Sequence, residues 1–322
     1  MGQGVLIVSP PDDLHAIAVA DALRKDHGLT VHHLDTQRFP GSARATYSCA
    51  HGREERRWIE SAAHLDFENI RSVWWRRPQP PEVPRFFTGV DHGHFMQTES
   101  DHFLHGLLWS QRCLWVNDPM NNLRASRKIV QLSKAIEHRL AVPATLVTND
   151  PREAVAFLSS LRGRAIFKRT GSGAGPASKT SFVTPEILER LDAIADCPTT
   201  FQEYVEARCD IRVVWIAGEL WPVSIDSQAG LSPEDCRFDN SVDFHPCELP
   251  AAVRDGLARL MTGLGLVFGA IDLRLGLNGE YYFLEVNPAG QFAYLEAKTG
   301  IPLIAAVASL LANGQPPATG AR

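Results

Sequence analysis

Two strand-like runs rich in apolar residues, 267–274 and 280–287, flank Leu277, Asn278 and Gly279. An Asn-Gly pair between such runs is a strong short-range signal for a β-hairpin. This hairpin constrains the fold through what it carries. Asp272 and Arg274 lie two apart on the first strand and share a face. On the second strand, Phe283, Glu285 and Asn287 are predicted on one face, and Tyr282, Leu284 and Val286 on the other. The turn brings the polar faces together, placing two carboxylates and an amide oxygen on strands that otherwise read as buried. Buried like charges are costly unless a cation offsets them. Asp272, Glu285 and Asn287 offer hard oxygen ligands that suit Mg²⁺, with phosphate completing its shell. The alternative is a salt bridge from Arg274 to either acid, which leaves Asn287 unexplained.

The remaining chain supplies an α/β frame for that hairpin. Val5 to Val8 reads as a short buried strand, followed by a helix start at Asp12 and Asp13 with apolar positions at Leu14, Ile17, Ala18, Ala22 and Leu23. Thr30 to Leu34 is the next strand, so the opening is a Rossmann-like β-α-β unit. Gly2 and Gly4 precede the first strand and no third glycine completes a dinucleotide fingerprint. A polar hairpin is predicted over 43–60, a strand at 73–75, a Pro-rich loop over 78–84, a helix over 93–111 and a strand over 114–116. Residues 117–121 read as a turn and a boundary. A helix over 123–140 follows, its stripe being Ile129, Leu132, Ile136 and Leu140. Strands are predicted at 144–148, 164–169, 199–205, 210–217 and 219–226, with a helix at 151–161. A polar loop over 227–246 and a helix at 251–264 lead into the hairpin. The tail after Asn313 reads as frayed.

Composition excludes several classes. A chain of 322 residues with 44% hydrophobic content builds a packed core rather than a disordered ensemble. A net charge of −5 gives no support for a nucleic-acid partner. No apolar run approaches the roughly 20 residues of a membrane helix, and no signal peptide opens the chain. Six scattered cysteines without a Cys-x-x-Cys pair suit reduced thiols and a cytoplasmic location. Pairing of Cys236 with Cys247 is not expected there.

Other residues with chemical potential gather around the hairpin in sequence order. Lys168 ends a strand immediately before a loop containing Gly171, Gly173 and Gly175, whose backbone N–H groups can cradle phosphate or form a mobile hairpin tip. Lys128 stands on a helix. The strand end Gln202, Glu203, Tyr204 and Val205 can hold an adenine through backbone groups. Asp210 and Arg212 share a strand face, Arg212 either contacting phosphate bidentately or closing a structural Asp–Arg pair. His92, His94, His102 and His105 form a candidate zinc cluster or the polar side of an amphipathic helix. Trp74 and Trp75 read as packing in preference to ligand stacking, and Arg76 and Arg77 as a peptide-carboxylate contact or a solvated strand end.

In this order, Lys128, Lys168, Gln202 to Val205, Asp210 to Arg212, Asp272, Glu285 and Asn287 resemble the ATP-grasp ligase superfamily over nearly the whole chain. Asp210, Ile211 and Arg212 resemble the branch containing the ribosomal-protein glutamate ligases. Further segments resemble the narrower graspetide, or microviridin-type, peptide maturases: Trp74 to Pro78, Val142 to Asn149, Ile225 to Gln228, Asn287 to Gln291, Leu295 with Glu296, and Thr299 with Gly300.

That resemblance implies an α/β and α+β chain with a Rossmann-like pre-ATP-grasp domain at 1–118, a central subdomain at 119–198 and a carboxy-terminal subdomain at 199–322. It implies ATP and Mg²⁺ as cofactors. Lys128, Lys168 and Arg212 would contact phosphates, Gln202, Glu203, Tyr204, Val205 and Asp210 would form the nucleotide site, and Asp272, Glu285 and Asn287 would hold the metal. Arg274 and Arg237 would serve the acyl-phosphate or acceptor region. The partner would be a precursor peptide with a leader segment, held by the hairpin near 213–224 and the loop after it, and the enzyme would be a homodimer. Two positions depart from the family pattern: Asp235, Cys236 and Arg237 replace its frequent Asp-Trp-Arg, and Arg169 follows Lys168 where proline is frequent. The activity implied is closure of ester or amide crosslinks. The alternatives are ligation of a free amino acid to a protein or small molecule, or non-catalytic ATP binding as in synapsins.

Overall fold

The computed structural model describes residues 3–60, 63–83, 90–161, 163–170, 180–230 and 242–315. The Gly-rich loop at 171–175, Cys236 and Arg237 lie outside the described residues. The chain divides into two compact units, one of Met1–Pro119, Gln291–Glu296 and Pro302–Arg322, the other of Met120–Gly290 and Ala297–Ile301.

The first unit begins with the expected β-α-β segment: β1 (Gly4–Val8), α1 (Leu14–His27) and β2 (Thr30–Leu34). Asp13 is the N-cap of α1, its carboxylate accepting from the His15 and Ala16 N–H groups. A negative side chain therefore fills the helix end where a dinucleotide fingerprint would seat a pyrophosphate. Next come β3 (Ala43–Ala50), β4 (Arg53–Glu60), β5 (Ala63–Leu65), β6 (Ile70–Trp75), α2 (Val90–Trp109) and β7 (Leu114–Val116). Strands β2-β1-β6-β7 form an all-parallel sheet, and β3-β4-β5 a separate antiparallel one whose third strand was not anticipated. Leu6, Val8, Val73 and Trp75 pack with Leu104, Leu107 and Leu108 of α2. Trp74 and Trp75 are both buried, so they are packing residues.

The second unit opens with α3 (Pro119–Ala125) and α4 (Lys128–Glu137). The structure corrects two expectations here. Residues 117–121 are not simply a turn, because α3 starts at Pro119, and the helix predicted over 123–140 is broken at Ser126 and Arg127. Ser126 turns its hydroxyl back onto the Leu123 carbonyl at 2.7 Å, and Arg127 is extended at φ −87°, ψ 109°. The break also rotates the stripe: Ile129 and Ile136 are 57% and 59% exposed, whereas Gln131 and Ala135 are buried.

A four-stranded antiparallel sheet follows, built from β8 (Thr145–Thr148), β9 (Ala165–Lys168), β10 (Ser181–Phe182) and β11 (Thr199–Glu203) in the order β10-β9-β11-β8. Helices α5 (Pro151–Ser160) and α6 (Pro185–Leu188) lie between its strands in sequence. Ala154, Leu191, Ile194 and Phe201 form its small core.

The last sheet is antiparallel, with β12 (Ala207–Ile216), β13 (Glu219–Ile225), β14 (Phe244–Pro246), β15 (Phe268–Gly276) and β16 (Tyr281–Asn287) ordered β14-β13-β12-β15-β16. Strand β14 lies in the segment read as a polar loop. Helix α7 (Ala251–Gly263) covers one face, Leu257, Leu260 and Met261 packing on Ile211, Val213, Trp215, Ile271 and Leu273. The hairpin turn falls where Asn278 and Gly279 require it, Gly279 having φ +83°.

Helices α8 (Ala293–Thr299) and α9 (Leu303–Asn313) end the described chain; neither was predicted. Helix α9 lies against α1 and β6, where Ser72 and Arg71 donate to the Leu311 and Ala312 carbonyls at 2.8 and 2.7 Å. No helix among the described residues is long and apolar enough to cross a membrane.

Candidate active site

The hairpin residues meet through strand register. Strand β12 runs beside β15, setting Arg212 opposite Asp272 and Asp210 opposite Arg274. Strand β15 in turn sets Asp272 opposite Glu285 and Ala270 opposite Asn287. One sheet face therefore carries a continuous row. Arg212 Nη1 lies 2.5 Å from Asp272 Oδ1, Asp272 faces Glu285 across the strands, and Lys128 Nζ lies 2.8 Å from Glu285 Oε2. Like charges directly opposite on adjacent strands destabilise a sheet. Here a cation at each end of the row balances them. Both carboxylates keep about a quarter of their side-chain surface exposed, so the row has an open side.

The face of β16 departs from simple alternation. Register shifts between Asp272 and Leu273: Glu285 opposes Asp272, but Phe283 opposes Leu273, leaving Leu284 as an extra residue. This β-bulge turns Phe283 onto the core side with Val286 while Glu285 stays beside Asp272. The expected grouping of Phe283 with Glu285 and Asn287 is thereby corrected.

Arg274 pairs with an acid of the neighbouring strand β12. It closes a buried two-point pair with Asp210, Nε to Oδ1 at 2.7 Å and Nη2 to Oδ2 at 2.9 Å. Its guanidinium also lies over the Tyr204 ring at 5.3 Å, and Arg164 lies over that ring at 4.7 Å. Burial pushes the Tyr204 phenol above its ordinary value. Of the neighbouring positions, Glu203 donates its N–H to the Ala144 carbonyl at 2.8 Å, and Val205 is half-buried just past β11.

Lys168 belongs to a separate chain of contacts on the four-stranded sheet. Its Nζ donates to Gln202 Oε1 at 2.9 Å, Gln202 Nε2 donates to Thr145 Oγ1 at 2.8 Å, and Thr145 donates to the Pro143 carbonyl at 2.8 Å. This chain holds the half-buried ammonium of Lys168 in place.

Asn287 ends β16 in a turn where its Oδ1 accepts from the Ala289 N–H at 2.9 Å. An amide oxygen has two lone pairs, so this turn uses one and orients the other. The donor set of Asp272, Glu285 and Asn287 fits Mg²⁺ in kind: three hard oxygens on one face of adjacent strands. Gly290 closes the turn. A Cβ there would stand 2.3 Å from Ala270 Cβ and 3.3 Å from Arg212 Nη2.

Two residues that shape the site escaped the sequence reading. Gln131 stands one helical turn after Lys128, and Leu284 makes the bulge. The spacing of Lys128 and Gln131 was visible, but a buried glutamine has no signature of its own. Among the described residues, His92, His94, His102 and His105 are not part of a group of three clustered metal-ligating side chains, and His105 faces Asp101 at 3.2 Å and stacks on Trp109. Among the described residues, the group of three metal-ligating side chains that does assemble is Asp226, Asp243 and His245, all exposed.

In the first unit, Arg76 is 1% exposed and its Nε lies 3.4 Å from Asp13 Oδ2. Burial lowers Arg76 to about 10, against the raising effect of the Asp13 charge. Burial pushes the Asp13 carboxyl up, but the His15 hydrogen bond, the Arg76 charge and the Ala16 N–H outweigh it and hold the group well below the ordinary carboxylate value. Arg76 is thus a structural charge, while Arg77 stays partly exposed 3.9 Å from the same carboxylate.

A cavity of about 560 Å³ lies between β13 and α7, lined by Leu220, Trp221, Pro222, Leu249 and Arg254 among others.

Comparison with known proteins follows the same division. A family model described as the MvdD pre-ATP grasp domain matches residues 4–124. The fold is similar to the macrocyclase MdnC bound with precursor peptide MdnA from Microcystis aeruginosa MRC, with TM-score 0.86 and 26% identity over 97% of this chain and 100% of that one. It is similar to a Chryseobacterium gregarium RiPP-associated ATP-grasp ligase in complex with ADP and a leader and core peptide, with TM-score 0.86 and 25% identity over 98% of each chain. Macrocyclase MdnB from Microcystis aeruginosa MRC aligns with TM-score 0.81 and 29% identity over 96% of this chain and 99% of that one. No curated protein matches the sequence.

Proposed function

We propose, on the premise that this chain is an ATP-grasp protein with an MvdD-type pre-ATP-grasp domain, that it is a peptide macrocyclase. It would activate side-chain carboxylates of a ribosomally made precursor peptide and close ester or amide crosslinks. The observation that carries this reading is the row Arg212, Asp272, Glu285 and Lys128 across three adjacent strands and α4. Two apposed carboxylates held between two cations are suited to receive a metal–triphosphate complex, in which each charge finds a partner.

A peptide carboxylate attacks the γ-phosphorus of ATP, and ADP leaves with the electron pair of the broken bond. The acyl phosphate then meets a hydroxyl or amine of the same peptide. That nucleophile attacks the acyl carbon, loses its proton, and phosphate departs as the ester or amide forms. Lys128, Lys168 and Arg212 offset charge on the transferring phosphoryl group. Asp272, Glu285 and Asn287 would hold Mg²⁺, which when bound neutralises phosphate oxygens. Glu203, Tyr204 and Val205 border the nucleobase. Asp210 and Arg274 act on the site by locking β12 to β15, and Arg237 is the candidate for the acceptor side. Holding both reacting groups in one peptide replaces a bimolecular encounter with an intramolecular one. We keep 119–198 and 199–322 as the central and carboxy-terminal subdomains, and a homodimer as the assembly.

The cavity against β13 supports a leader-binding role for that strand and for α7. It combines an apolar floor at Leu220, Trp221 and Leu249 with charges at Glu248, Arg254 and Asp255 on its rim.

The reading is tested by ADP formation with Mg²⁺-ATP and a candidate precursor peptide, in wild type and Glu285→Gln. Peptide-dependent ADP release that falls by about 10²-fold or more in the variant supports it. Equal release from both proteins removes Glu285 from the site and with it this account of the row.

A further inference from the structure

We propose that Gln131 is a positioning residue that sets the metal-binding edge strand. The inference rests on the reading of Asp272 and Glu285 as the Mg²⁺-nucleotide site.

Strand β16 is the last strand of its sheet, so its outer backbone groups need partners from outside it. Gln131 supplies them as a strand would. Its Oε1 accepts from the Val286 N–H at 3.0 Å, and its Nε2 donates to the Val286 carbonyl at 2.8 Å. The same Nε2 donates to the Ala125 carbonyl at 2.6 Å, one of the groups orphaned where α3 ends. A single buried amide thus ties the break between α3 and α4 to the residue next to Glu285.

The rest of the outer edge is held nearby, where the Phe283 N–H donates to the Ala141 carbonyl at 2.8 Å. Glu285 stands between these two anchors, one residue past the Leu284 bulge. Lys128 and Gln131 are three apart on α4 and share a face, so the helix that fixes Val286 also delivers the ammonium to Glu285. Satisfying one peptide unit requires only a donor and an acceptor. This amide does so at the position where a small shift of β16 would separate Glu285 from both Asp272 and Lys128. Groups that orient ligands without touching the metal commonly change metal affinity by about 10- to 100-fold when removed.

The experiment is calorimetric binding of ATP at stepped Mg²⁺ concentrations, in wild type, Gln131→Met, Gln131→Glu and Leu257→Ala. Gln131→Met keeps the volume without hydrogen bonds. Gln131→Glu keeps the acceptor for Val286 and loses the donor, and it serves if the methionine variant does not fold. Leu257 is fully buried in the core cluster that also holds Phe283 and Val286, so its truncation lowers Tm and loosens packing while leaving the outer-edge hydrogen bonds of β16 in place. The expected result is a rise of about tenfold or more in the Mg²⁺ needed for half-maximal ATP binding in the Gln131 variants, with no such rise in Leu257→Ala. A Gln131 variant whose Mg²⁺ requirement moves no further than that of Leu257→Ala overturns the assignment and leaves the parent reading standing. A wild type without Mg²⁺-dependent ATP binding overturns both.

Discussion

Asp13 performs two tasks with one carboxylate, capping α1 and neutralising the buried Arg76. Asp13→Asn separates them, because asparagine caps a helix about as well but carries no charge. The substitution removes the carboxylate charge beside a buried guanidinium, which costs about 3 kcal/mol. The pH dependence follows from the depressed carboxyl. A group whose folded value lies below its unfolded value of about 3.9 contributes fully above that value and loses its contribution as pH falls through the folded one. Urea unfolding of wild type and variant should therefore differ by a constant amount from pH 8 to about pH 5, and the gap should close only below about pH 4. A gap that changes near neutral pH would contradict this assignment to Asp13. The Asp–Arg pairings show where residue types fall short as a guide. Asp210 and Arg212 were legible as a charged strand face, but both take their partners from β15, and nothing in the local sequence states which strand becomes the neighbour.

At the scale of elements, the turn from β16 toward α8 is as constrained as the strands. Gly290 lies close enough to Ala270 that a single methyl group collides with it. Gly290→Ala forces the turn or the strand to move, at a cost of about 1–3 kcal/mol. The same methyl presses on Arg212, so ATP affinity should fall alongside Tm. Wild-type affinity in this variant would show that the turn adjusts away from the site. The hairpin itself was readable from Asn278 and Gly279. Its bulge was not, because Phe283 and Leu284 are adjacent apolar residues that fit either face until the register with Leu273 is known. The helix over 123–140 failed for a related reason: every residue tolerates a helix, and the break at Ser126 depends on Gln131 receiving the carbonyl freed at Ala125. Helix α9 was missed because Leu303 to Ala312 is apolar on nearly all sides and lacks the polar face that marks a surface helix.

At the scale of the whole molecule, the order of chemical residues along the chain was the most legible property. Lysines, strand-end acids and the hairpin carboxylates occur in sequence, and the structure gathers the hairpin ones onto one face through three neighbouring strands and α4. A parallel sheet that carries no glycine fingerprint precedes them, its helix end occupied by Asp13. The account therefore stands on whether this assembly forms bonds within a peptide. The direct measurement is the intact mass of a candidate precursor peptide, recorded with ADP after incubation with the purified protein and Mg²⁺-ATP. The account predicts loss of one water for each crosslink, matched by one ADP, with neither seen for Glu285→Gln. ADP formed while the peptide mass stays unchanged would contradict macrocyclisation, and the chain would then be a ligase or ATPase acting on something else.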